Sequence, residues 1–113
     1  QTRSFCFYSD LINGITKLLY SNTNGPINIG NPVEFTIIDF AKLVIKIARL
    51  AEMSRGRAKT QSKIIYKPLP KDDPKQRKPN ITLAKKHLNW SPKVKLEDGL
   101  KETFDWFMEN RKV

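Results

Sequence analysis

Apolar residues recur along this chain at two spacings, and the switches between them mark its elements. Leu11, Ile12, Ile15, Leu18 and Leu19 follow helical spacing and predict an amphipathic helix over Leu11–Tyr20, capped by Ser9-Asp10. Ile37, Phe40, Ala41, Val44, Ile47 and Ala48 share one face of a longer helix, Ile37–Ala51. Thr36 and Asp39, three residues apart, resemble a capping box at its start. Two more helices are predicted: Ile81–Leu88, capped by Asn80, and Glu97–Asn110. Glu97 and Asp98 in the first turn of the last helix, with Arg111 and Lys112 near its end, complement the helix dipole. Short aromatic or aliphatic runs predict strands at Ser4–Tyr8, Ile27–Ile29 and Ile64–Tyr66. Pro68, Pro70, Pro74 and Pro79 exclude regular structure between Lys67 and Pro79, which becomes an extended loop.

Three short strands and four helices in mixed order predict an α/β or α+β fold. Strands this short build a sheet too small for a free-standing core, so a partner region outside the chain is expected. The start at Gln1 rather than Met leads to the same expectation, a piece of a longer protein.

Composition narrows the function. A length of 113 residues suits one domain and excludes a two-domain enzyme. The longest mostly apolar stretch, Phe35 to Leu50, is interrupted by Asp39, Lys42, Lys46 and Arg49, so no membrane span is expected. No signal peptide is recognisable, and a cytoplasmic location is expected. A single cysteine, Cys6, forms no internal disulfide or cysteine-based zinc site and reads as a small core residue. The one histidine, His87, sits beside Lys85 and Lys86 and reads as a surface residue. Gly25 and Gly30 are turn glycines, and neither a dinucleotide fingerprint nor a Walker loop is present.

The charge of +10 is uneven. Between Arg49 and Lys78 stand ten basic residues against three acids, Glu52, Asp72 and Asp73. Such a stretch invites an anionic partner, although a solvated loop is its commoner fate. The part from about residue 52 to 63 reads as an exposed basic loop. Two arginines carry more specific chemistry. Arg3 adjoins the first strand, and Arg77 lies between Pro74 and Pro79. A guanidinium fork fits two phosphate oxygens at once, and flanking prolines lower the ordering cost of the loop. Asp72 and Asp73 are placed to hold that loop by hydrogen bonds or ion pairs rather than to bind a metal.

These residues resemble a known family. Gln1-Thr2-Arg3-Ser4-Phe5 followed by Ser9-Asp10-Leu11 resembles the start of the C-terminal part of extended short-chain dehydrogenases/reductases that act on nucleotide sugars. Asn28-Ile29-Gly30-Asn31-Pro32 resembles their next strand and turn. The run Tyr66 to Ile81, with Asp72-Asp73-Pro74 and Arg77-Lys78-Pro79, then Trp90-Ser91-Pro92-Lys93-Val94, is similar to the UDP-glucuronate decarboxylases. The resemblance implies a C-terminal substrate-binding part spanning residues 1–113, with a small short-stranded sheet, about four helices and no Rossmann domain. It implies an NAD-dependent enzyme that oxidises UDP-glucuronate at C4, releases CO2 and reduces the keto intermediate to UDP-xylose. NAD and the catalytic Tyr-x-x-x-Lys pair would belong to the absent domain, so the chain alone would be inactive. By the same resemblance Arg77 grips the UDP diphosphate, and Arg3 lies near the substrate with a proton-donor role. Gln1 and Thr2 line the pocket, and the parent enzyme is a homodimer.

Three departures stand out. Asn80 replaces the usual Asp, Phe7-Tyr8 replaces a Tyr-Val pair, and the stretch from Leu50 to Gln61 is longer and more basic than in the family. Two alternatives stay open: another NAD-dependent nucleotide-sugar epimerase or dehydratase, and a small basic nucleic-acid-binding protein. The second has no reading motif, and no aromatics interleave with its basic residues. No nucleic-acid partner is therefore expected.

Overall fold

The structure, a computed structural model, describes residues 1–56 and 61–111. Its elements run β1 Thr2–Ser4, α1 Tyr8–Leu19, β2 Glu34–Thr36, α2 Ile37–Ser54, α3 Thr82–Leu88 and α4 Leu96–Asn110. β1 and β2 pair antiparallel, with Thr2 opposite Thr36, Arg3 opposite Phe35 and Ser4 opposite Glu34. The four predicted helices are present within a few residues of their expected bounds. Lys112, and residues 57–60 of the expected basic loop, lie outside the described residues.

The strands differ more from expectation. The first is Thr2–Ser4 rather than Ser4–Tyr8. Phe5 leaves the ladder to stack on Phe40 of α2, ring centroids 4.2 Å apart, and Tyr8 already belongs to α1. Ile27–Ile29 and Ile64–Tyr66 are not strands. A strand needs a ladder partner for its N–H and C=O groups, and neither run has one among the described residues. Ile27 and Ile29 instead pack on the core, whereas Ile65 and Tyr66 stay exposed. β2 was missed because Thr36 reads as a helix cap. It is that as well: its hydroxyl accepts the Asp39 N–H at 3.1 Å.

Ser9-Asp10 does not cap α1, which begins at Tyr8, three residues earlier than predicted, behind Phe7. Asp10 is buried, and its Oδ2 accepts the backbone N–H groups of Lys93 (3.0 Å) and Val94 (2.9 Å). Its carbonyl accepts the Trp90 indole N–H at 3.0 Å. These long-range bonds offset the desolvation of a charged group, which a local cap would have left in water. The cap position of α3 falls to Ile81 rather than the expected Asn80, because the helix starts one residue later at Thr82; Asn80, just before it, still accepts the Thr82 N–H through its Oδ1 at 3.0 Å. Asn89, with φ 46°, closes that helix in the left-handed region.

The core is a cluster of Ile81, Ala84, Leu88 and Trp90, with Cys6, Leu18, Ile27 and Ile29 packed around it. Trp90 fits because α1 has no side chain at Gly14, where a Cβ would lie 2.6 Å from Ile29 and 3.0 Å from Trp90. Burial pushes the Cys6 thiol pKa up, aided by the Asp10 charge. His87 is exposed on α3. The radius of gyration is 17.2 Å, larger than the roughly 13 Å of a 100-residue globule. Leu11, Ile12, Ile15 and Leu19, predicted as the inner face of α1, are largely exposed. The helical period is there; the surface that would cover it is not among the described residues. No helix among the described residues is long and apolar enough to cross a membrane.

Candidate functional site

β1 runs between two neighbours. β2 flanks one edge, and the loop around residues 73–77 flanks the other. The Thr2 N–H donates to the Lys75 carbonyl at 2.9 Å, and the Ser4 hydroxyl meets the Arg77 carbonyl at 3.4 Å. Gln1, Thr2 and Arg3 are thereby brought beside the backbone of Arg77, although more than 70 residues separate them in sequence.

Side-chain alternation along β1 sorts its residues into two sets. Gln1 and Arg3 both reach Asp73. Gln1 Nε2 donates to Oδ2, and Arg3 Nη2 forms an ion pair with Oδ1 at 2.9 Å. Arg3 Nη1 also donates to the Thr2 carbonyl at 2.7 Å. Two N–H groups of Arg3 are thus committed to holding it in place, and the others remain for an anion. Asp73 can face β1 because Asp72 turns the chain at φ 63°, a left-handed conformation Asp tolerates better than most residues. The expectation that the aspartates hold the loop is met at Asp73. Among the described residues no group of three His, Cys, Asp or Glu side chains is placed to hold a metal ion.

The other set centres on Glu34, which the sequence reading missed. Its Oε1 accepts Thr2 Oγ1 at 3.1 Å and Gln76 Nε2 at 2.7 Å, joining β1, β2 and the loop. The Gln76 hydrogen bond above all, with the Thr2 bond and the Lys78 charge, holds the Glu34 carboxyl below its usual pKa against a smaller opposing effect of burial. The only signal in the sequence was its two-residue alternation with Thr36.

A depressed carboxyl pKa stabilises the fold above the unfolded value, and that contribution is lost as pH falls through the folded value. Loosening of the 73–77 loop is therefore expected as pH drops below about 4, the ordinary Glu range. Hydrogen exchange at the Thr2 amide, followed against pH, checks this; Glu34→Gln keeps the acceptor oxygen and should flatten the profile.

Arg77 itself is exposed, and among the described residues its guanidinium has no hydrogen-bond or ion-pair partner. Its loop ends against Gly30, where a Cβ would come within 3.0 Å of Pro79. Clefts of about 690 and 630 Å³ lie elsewhere, along α2 and between β2 and the turn before α4. The segment beside β1 thus carries Arg3, oriented by Asp73, and Arg77, whose backbone carbonyl meets Ser4 and whose side chain is exposed.

The fold matches solved structures. A UDP-glucose 4-epimerase of Thermotoga maritima, solved with UDP-glucose, superposes with a TM-score of 0.81 and 28% identity, over 98% of this chain and 33% of that one. A UDP-glucuronic acid 4-epimerase of Bacillus cereus, in complex with UDP-glucuronic acid and NAD, gives 0.70 and 32% identity, over 96% of this chain and 32% of that one. The fold is that of the C-terminal part of an extended short-chain dehydrogenase/reductase. The GDP-mannose 4,6 dehydratase family model matches residues 1–103, and the chain belongs to that family. Among curated relatives, UDP-glucuronic acid decarboxylase 1 of Danio rerio is 41% identical over 107 residues, 95% of this chain and 23% of its own length. The chain spans about a quarter of the length of such relatives.

Proposed function

We propose that this chain is the substrate-binding part of an NAD-dependent UDP-glucuronate decarboxylase, which converts UDP-glucuronate to UDP-xylose and CO2. The observation that carries this reading is 41–45% identity to UDP-glucuronic acid decarboxylases across 88–95% of the chain. The convergence of Arg3 and the Arg77 backbone at β1 supports it. Arg77, without a protein partner, takes the diphosphate through its fork of donors. Arg3, aimed by Asp73, presents a fixed positive charge to the sugar end of the substrate. That geometry favours orienting and electrostatic work over the proton-donor role. Gln1 and Thr2 complete the wall, each held by a carboxylate.

NAD, when bound to the whole enzyme, accepts and returns the hydride of the sugar oxidation. No residue here is assigned to it. Gly14, Gly30 and Gly99 are occupied by packing against Ile29, Pro79 and Phe7, so none forms a phosphate cradle. The exposed apolar side of α1 is where the rest of a longer chain would pack. On this reading the chain alone turns over no substrate, and the parent is a cytoplasmic homodimer.

The 32% identity to a UDP-glucuronic acid 4-epimerase favours a second reading, C4 epimerisation without loss of the carboxylate. Incubating the full-length protein with UDP-glucuronate and NAD separates the two. Release of CO2 with a UDP-pentose is the expected result. A UDP-hexuronate as the only product would make the protein an epimerase.

A further inference from the structure

The proposed active site leaves most of the basic surplus unused, and the structure gathers part of it in one place. Lys42, Lys46 and Arg49 stand on one face of α2, four and three residues apart, and Lys63 faces them from the segment that follows. Together they rim a groove of about 690 Å³. No Asp or Glu lines it, and Glu52, one turn beyond Arg49, is not in its wall. Among the described residues none of the four cations is in an ion pair; the nearby Arg55 is by contrast paired with Asp105 of α4 at 2.9 Å. Ile45, Leu50, Met53 and Ile64 make the floor aliphatic.

We propose that this groove docks an acidic amphipathic peptide segment of a partner protein. Its carboxylates would meet the four cations, and its aliphatic side chains would seat on the floor. Both halves of the surface are needed for the assignment. Uncompensated positive charge selects an anionic partner, and an aliphatic floor adds burial that a highly hydrated polyanion cannot use. A nucleic acid fits less well, because no aromatic ring lines the groove to stack on a base. The mode is helix-in-groove recognition, with charge pairs at the rim setting orientation and salt dependence.

The test uses the full-length protein and a fluorescent synthetic peptide of glutamate and leucine in amphipathic helical spacing, followed by anisotropy. Saturable one-to-one binding that weakens with added salt is expected. Lys46→Glu combined with Lys63→Glu should weaken it about tenfold or more, since two attractive pairs become repulsive. Leu50→Ser should weaken it separately. UDP binding should be unchanged in all these variants, so failure here is distinguishable from failure of the decarboxylase reading. No saturable binding would overturn the proposal. So would equal binding of polyglutamate, which has no aliphatic side chains to seat. Tighter binding of a single-stranded oligonucleotide or of phosphatidylserine vesicles would replace the peptide with that ligand.

Discussion

Arg77→Ala in the full-length protein is expected to lower UDP affinity by about 10- to 100-fold, the loss of a charge-assisted hydrogen-bonded pair of roughly 1.5–3 kcal/mol. The side chain is exposed and has no partner among the described residues, so its removal leaves no protein group unsatisfied. The loop stays pinned through the Lys75 and Arg77 carbonyls and Gln76, none of which needs the guanidinium. A loss of UDP binding without a change in melting temperature is therefore the signature. Isothermal titration measures it. Arg77→Lys should fall between the two, keeping the charge but not the fork. Unchanged affinity in Arg77→Ala would show that the diphosphate sits elsewhere.

Trp90→Ala should produce the largest stability loss, about 3–5 kcal/mol for truncating a buried aromatic. Trp90 is only 3% exposed and fills the space left by Gly14. Its indole also satisfies the Asp10 carbonyl, and the next turn supplies both N–H donors to the Asp10 carboxylate. Truncation thus opens a cavity and loosens a buried charge together. Trp90→Phe isolates the indole bond and should cost only about 1–2 kcal/mol. Urea unfolding of the full-length protein reads both. A loss below about 1 kcal/mol for Trp90→Ala would mean that α1 and α3 are held by other contacts. The consequence reaches the site, because Asn28 donates to the Asn80 carbonyl at 3.2 Å, next to the proline that ends the Arg77 loop.

The two predictions rest on features of different range along the chain. The arginines stand out in the sequence because guanidinium chemistry and flanking prolines are local features. Trp90 was legible as part of a motif but not as the centre of the core, because its partners Asp10 and Gly14 lie far away in sequence. Asp10 shows the same limit. Read locally it is a helix cap; in the fold it accepts two N–H groups from residues more than 80 positions later. Glu34 was passed over because nothing beside it in the chain needs a carboxylate.

Periodicity by itself determined the four helices, since each carries its apolar spacing within its own length. Composition by itself determined the excess of positive charge. Only the tertiary structure decided which short apolar runs became strands, because a ladder requires a partner that no local pattern specifies. It also decided which aspartate holds Arg3, which glutamate ties the loop to β2, and which lysines converge on one groove. Those outcomes depend on distances between residues remote in sequence, and such distances exist only after the chain has packed.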